Sequence, residues 1–271
     1  HHPVGTCKLS WILRTPRNVA LTDVMKRDQT LIPVTMDQEE VALRFQKYAL
    51  ISAAVVDDAG RLVGQITVDD VVHIIQEEAG EDVMLLSGAG EGDINEPIRE
   101  AYVARVRWLV ANLVTASLAS FIISRFEDVI AQLVTLAVLM PIVAGVGGNA
   151  GTQTLAVTVR AIATNQLTGS NRWRAVGREL RVAILNGITV AALIGAGVTL
   201  VLGSQALGAV IAVAMLFNII VAGLAGVLVP LALERAGTDP AVASSVFVTM
   251  VTDSMGFLLF LGLATAAGLV G

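Results

Sequence analysis

Cysteine occurs once, at Cys7, so the chain forms no disulfide within itself and is compatible with a reducing compartment. Histidine occurs only at His1, His2 and His73, which leaves no Ser/His/Asp or Cys/His set for nucleophilic catalysis. No imidazole or thiolate lies beyond residue 73, so the rest of the chain offers no transition-metal site. Charged residues make up 15% and aromatics 4%, and no basic stripe with interleaved aromatics is present, which argues against nucleic acid as a partner. A phosphate-cradling P-loop is also missing, so nothing marks a nucleotide-driven pump, and the chain reads as a non-enzyme.

What is abundant is apolar. With 55% hydrophobic residues and a mean hydropathy of +0.73, the chain is too oily for an ordinary water-soluble domain and implies a bilayer. The net charge of −5 averages two dissimilar regions. Up to Ile98 there are 8 Lys and Arg against 16 Asp and Glu; from Arg99 onward the count is 10 against 7. An acidic soluble part therefore precedes a weakly basic membrane part. The chain opens on His1-His2 rather than methionine and reads as a piece of a longer protein.

Spanning about 30 Å of hydrocarbon takes roughly 20 apolar residues. Five runs qualify: Trp108 to Ser124, Val129 to Ala161, Val182 to Leu202, Ala206 to Leu233 and Ala241 to Val270. Arg99, Arg105, Arg107, Arg160, Arg172, Arg174, Arg178, Arg181 and Arg235 fall on one side of these spans, and Arg125 alone on the other. The positive-inside rule then places the acidic region in the cytoplasm and the C-terminus outside. Small residues such as Gly187, Ala191, Gly195, Gly223 and Gly226 have the spacing of closely packed helices.

In the soluble part, residues 53–57 read as a buried strand, 58–60 as a turn and 61–66 as the hairpin partner. Asp37 to Glu40 and Thr67 to Asp70 each have capping-box spacing ahead of an amphipathic helix. The expected fold is a small α/β unit followed by a five-helix transmembrane bundle.

The order of Asp37-Gln-Glu-Glu40 and Val55-Val-Asp-Asp-Ala-Gly-Arg-Leu-Val-Gly-Gln-Ile-Thr-Val-Asp-Asp70 resembles a cystathionine-β-synthase (CBS) domain, and residues before about Ala20 resemble the close of a preceding copy. Further on, Ala104-Arg-Val-Arg-Trp-Leu-Val110, Gly147-Gly-Asn-Ala-Gly-Thr-Gln153 and Thr252-Asp-Ser-Met-Gly-Phe-Leu-Leu-Phe260 resemble the MgtE family of magnesium channels and transporters. The resemblance implies a homodimer in the cytoplasmic membrane that conducts Mg²⁺ and is closed by cytoplasmic domains when internal Mg²⁺ is plentiful. It divides the chain into the tail of one CBS repeat (1–20), a CBS domain (21–80), an acidic connecting segment with a plug helix (81–103) and an ion-conducting domain (104–271). The family's N-terminal helical domain and most of the first CBS repeat have no counterpart here.

Asp253 is the centre of the expected ion path. A bare carboxylate deep in a span costs on the order of 3 kcal/mol by insertion scales, and no Lys or Arg lies in a span interior to offset it. Magnesium prefers few carboxylates and several retained waters, which one Asp per subunit across a twofold axis would supply. Pro141, Gly145, Gly147, Gly148 and Gly151 suggest an unwound segment exposing backbone carbonyls, with Asn149 and the carbonyl near Gly148 lining the pore. Glu127 and Asp128 stand between the first two spans, where they could concentrate cations.

A second constellation is cytoplasmic. No Lys or Arg occurs between Arg61 and Arg99, while Asp69, Asp70, Glu77, Glu78, Glu81, Asp82, Glu91, Asp93 and Glu96 do. Such uncompensated charge invites neutralisation by cations. The resemblance assigns regulatory Mg²⁺ to Asp37, Glu39, Asp70, Glu78, Glu81 and Asp82, with His73 departing from the family's carboxylate. Thr67 and Asp70 also match positions that contact adenine nucleotides in many CBS domains, and some family members respond to ATP. The alternative reading is thus a membrane-anchored CBS sensor of adenine nucleotides that transports nothing. Chloride channels carry CBS domains after the membrane part, and an intramembrane aspartyl protease needs a second membrane aspartate.

Overall fold

The computed structural model describes residues 1–88, 95–167, 169–242 and 244–269, with the side chain of Asp82 outside that description. The chain forms two compact units, His1–Gly80 and Glu81–Gly271.

The first unit contains α1 (Leu9–Arg14), α2 (Leu21–Val24), β1 (Leu31–Pro33), α3 (Gln38–Tyr48), β2 (Ser52–Val56), β3 (Leu62–Thr67) and the start of α4 (Val68–Ser87). Its sheet has the order β1-β2-β3, with β1 parallel and β3 antiparallel to β2. Ile32, Val41, Phe45, Ala53 and Val71 form the core, so both helices lay an apolar stripe on the sheet. The hairpin, α3 and the start of α4 follow the sequence pattern. β1 does not: it is three residues long and ends in Pro33, which lacks a ladder donor and suits only an edge position such as this one.

Polar side chains fix the ends of these elements. Asp57 turns the hairpin by accepting from the backbone of Arg61 at 2.8 Å and of Ala59 at 3.0 Å, with the Arg61 guanidinium on its other oxygen and Gly60 in the left-handed region at φ 73°. These bonds, the Arg61 N–H foremost, hold the Asp57 carboxyl below its usual range. Both capping boxes are half-formed. Asp37 accepts from Glu39 N at 2.9 Å, but Glu40 turns away to pair with Arg44 at 2.8 Å. Before α4, one oxygen of Asp70 accepts from the Thr67 hydroxyl at 2.7 Å and from its N–H at 2.9 Å. Those two bonds, the hydroxyl first, lower the Asp70 pKa.

In the second unit, α5 (Ile98–Ser124), α7 (Thr135–Ala163), α8 (Arg172–Leu202), α9 (Gln205–Arg235) and α10 (Ser244–Ala266) are long and apolar enough to cross a membrane, and α6 (Glu127–Gln132) is a short connector. The five expected spans are all present, with α5 and α8 beginning about ten residues before the apolar runs. Helix α9 is the hub, packed against α7, α8 and α10, whereas α5 leans mainly on α10. In its most apolar window 61% of α9 is buried, against 6% of α5.

Small residues make the close approaches. Gly187 faces Leu216, Gly195 faces the Gly208 carbonyl and Ala212, and Gly223 faces Ala183. In lipid, where apolar surface has no water to escape, such contact is a main source of helix association. At one end of the α8–α9 pair, Arg172 bonds Glu234 at 2.7 Å.

The interruption expected at Pro141 is absent. Helix α7 runs unbroken from Thr135 to Ala163 with Pro141 inside it, as α9 does around Pro230. Two of the α7 glycines are explained by contact instead: Gly147 lies against Asn218, and Gly151 against Val248 and Thr252. Held on α9 and α10, the helix tolerates one missing donor without unwinding.

Two outcomes follow. A methyl on Gly223 would stand 2.6 Å from the Ala183 Cβ, so Gly223→Val should cost about 1–3 kcal/mol through overpacking, read as a lower thermal midpoint in detergent. Asp70 has a lowered folded pKa, so its contribution exists above its unfolded value near about 4 and vanishes as pH falls through the folded value. Wild type and Asp70→Asn should therefore differ in thermal midpoint at neutral pH and converge in acid.

Candidate functional site

Helix α10 buries Val248, Thr252, Gly256 and Phe260, every fourth residue, against the bundle. Asp253 follows Thr252 and is consequently rotated off that stripe, half-buried near the middle of the helix. It makes no hydrogen bond or ion pair among the described residues. The ion pairs Arg44–Glu40, Arg61–Asp57, Arg172–Glu234 and Arg178–Glu179 lie elsewhere, and the arginines of α7 and α8 stand toward the ends of those helices.

Helix α7 presents a second polar feature at the same level. Gly151 lies against Thr252, so Asn149 and Thr152 fall within about a turn of the depth of Asp253. Gly145, Asn149, Thr152 and Gln153 are exposed and Gly148 half-exposed, while Val143, Gly147, Gly151, Thr154 and Leu155 face inward. Gly145 and Gly148 meet nothing among the described residues where a side chain would project. The Gly148 carbonyl is not freed by unwinding; it sits in the helix and accepts from the Thr152 hydroxyl at 2.9 Å. Uncharged amides and a hydroxyl on an uncovered face of an otherwise apolar helix suit hydrated ions better than acyl chains. Asn149 thus belongs to a side-chain stripe, and Gly148 lies beside it within an unbroken helix rather than in an opened backbone.

The remaining candidates are dispersed. Glu127 and Asp128 are exposed in the first turn of α6. Asp37 caps α3, Glu39 is in its first turn, and Asp70, Glu78, Glu81 and Asp82 follow one another along α4, where the Asp82 side chain is outside the described part. Among the described residues, no three acidic, His or Cys side chains come together to hold a metal. Thr67 and Asp70 are bonded to each other, which accounts for both without a nucleotide. The C-terminal turns of α4 reach the bundle: Leu85 and Leu86 pack on a cluster of Leu155, Val159, Ala225, Ala241 and Val248. Beside them a cavity of about 620 Å³ is lined by Ser87, Arg105, Trp108, Asn112, Ser245 and Thr249, among others.

Two buried polar residues were not anticipated. Glu179, on α8, is 8% exposed and bonded to Arg178 at 2.5 Å. Asn218, on α9, is fully buried and donates to the Val143 carbonyl of α7 at 3.0 Å. A signal for Asn218 was present, since it is the single amide in the apolar run Ala206 to Leu233.

Residues 140–263 match the MgtE family model, described as a divalent cation transporter, and residues 21–77 match the CBS domain. Three curated proteins named magnesium transporter MgtE are similar along most of the chain. That of Bacillus subtilis is 36% identical over 85% of this chain and 51% of its own length. That of Thermus thermophilus is 34% identical over 93% and 56%. That of Enterococcus faecalis is 33% identical over 98% and 58%. The chain spans a little over half the length of these relatives. Together with the five apolar helices behind a small α/β unit, these matches identify a CBS domain at residues 21–77 and, within the membrane part, a domain at residues 140–263 that matches the MgtE model.

Proposed function

We propose that this chain forms the ion-conducting part, and some of the gating part, of a homodimeric Mg²⁺ channel or transporter of the cytoplasmic membrane. The observation that carries the proposal is Asp253: a half-buried carboxylate in a membrane helix, without a partner among the described residues, level with the polar stripe of Asn149 and Thr152. A hydrated divalent cation offsets that charge. Mg²⁺ keeps most of its water, so one carboxylate per subunit, with Asn149 and the Gly148 region addressing the water shell, meets its demand for few direct ligands. The magnesium named in all three relatives supports the choice of ion. A twofold axis beside α7 and α10 would bring a second Asp253 to the path and cover the stripe that one chain leaves open.

The arginines at the ends of α7 and α9 and at the start of α5 and α8 favour a cytoplasmic CBS region and an external C-terminus. Gating by internal Mg²⁺ is supported by α4, which carries six acidic residues and no Lys or Arg, and whose last turns pack on α7 and α10 residues. Cations at Asp37, Glu39, Asp70, Glu78, Glu81 and Asp82 would relieve like-charge repulsion and hold that helix against the bundle. On this reading residues 1–20 close a preceding CBS repeat, 21–80 are a CBS domain, 81–103 connect it, and 104–271 conduct. A CBS sensor of adenine nucleotides without transport would leave Asp253 unexplained, and the Thr67–Asp70 bond gives ATP no particular support.

In liposomes, Mg²⁺ should flow down its gradient through the wild-type protein and at least about tenfold more slowly through Asp253→Ala, given the field one intramembrane charge provides. Unchanged flux would remove the pore assignment, and nucleotide binding that survives without any flux would favour the sensor. Millimolar Mg²⁺ should also slow limited proteolysis around Glu78 to Glu81; identical cleavage with and without the ion would count against the gate.

A further inference from the structure

We infer that Asn218 is the positioning residue of the proposed ion path, setting the separation of α7 and α10 by filling the gap between Gly147 and Gly256 and bonding to the α7 backbone. The inference rests on the function proposed above.

Asn218 has no exposed surface, and its amide nitrogen donates to the Val143 carbonyl at 3.0 Å. The fit around it is made by two glycines on different helices. A methyl on Gly256 would stand 2.7 Å from the Asn218 Nδ2 and 3.2 Å from a Val143 methyl, and one on Gly147 would be closer still to that nitrogen. Neither glycine can carry a side chain while Asn218 keeps its place. The three helices are therefore keyed together by one amide.

Fold stability alone does not account for an amide here. Asn218 Oδ1 is buried and has no donor among the described residues, a penalty that an apolar side chain would avoid. What only the amide supplies is a fixed, directional bond into α7. Its position matters because Gly256 is three residues beyond Asp253, under one turn, and Gly147 is two residues before Asn149. A change in the Asn218 contact moves the carboxylate and the polar stripe relative to each other, and with them the width available to a hydrated cation.

The test measures Mg²⁺ and Ca²⁺ flux per folded protein in liposomes. Asn218→Leu should lower Mg²⁺ flux per folded protein about three- to tenfold, the range of intramembrane hydrogen bonds, and change the Mg²⁺ to Ca²⁺ ratio. A structural role alone would change the yield of folded protein and leave that ratio untouched. Should Asn218→Leu fail to fold, Gly256→Ala should reduce Mg²⁺ flux and Gly256→Ala with Asn218→Ala should recover it at least in part. An unchanged rate and ratio in Asn218→Leu, or no recovery in the pair, overturns the inference. Asp253→Ala is run in parallel: flux lost there but unaltered at Asn218 rejects the positioning role alone, whereas flux retained in Asp253→Ala rejects the pore itself.

Discussion

Hydrocarbon offers no hydrogen bonds, so each polar group in the second unit must find its partner inside the bundle or be met by something from solution. Most are met inside. Thr158, Thr199 and Thr265 donate to carbonyls four residues earlier, Glu179 is held by Arg178, and Asn218 reaches across to Val143. Among those not so met are Asp253 and the exposed amides of α7, which lie at one depth, while Asn218 Oδ1 and the Ser254 hydroxyl are buried without a partner among the described residues.

The hub helix α9 serves that arrangement from behind. Its small residues bring α8 to within backbone contact on one side, while Asn218, Ala222 and Gly226 receive α7 and α10 on the other. Close packing leaves the polar stripe of α7 facing away from α9, on the uncovered side. Contact and exposure thus use opposite faces of one helix, with glycine on both: Gly147 and Gly151 in contact, Gly145 and Gly148 toward open space.

Much of this was legible in the residues. The hairpin, the caps at Asp37 and Asp70, five spans and a lone membrane carboxylate all follow from periodicity and composition. The edge strand Leu31–Pro33 was not, because three residues are too few for alternation and proline argues against a ladder. The arginine-rich start of α8 lies outside the apolar run Val182 to Leu202; cations oppose the dipole at a helix N-terminus, and the Arg172–Glu234 bond that meets one of them joins residues 62 apart and is invisible to local pattern. The glycines beside Pro141 suggested a broken helix because their contact, Asn218, lies on another span. Sequence shows that a position is small, whereas its occupant across the interface is a tertiary fact.

Helix α5 carries a mechanical consequence. Its apolar stretch from Trp108 to Ser124 is seventeen residues, about 26 Å long, slightly short of a hydrocarbon layer of about 30 Å. Within this chain it is supported chiefly by α10. A thicker bilayer must either thin around it or draw Arg105 and Arg107 into the headgroup boundary, and the resulting load falls on its single broad neighbour. The lipid composition surrounding the protein is in this way coupled to the very helix that bears its membrane carboxylate.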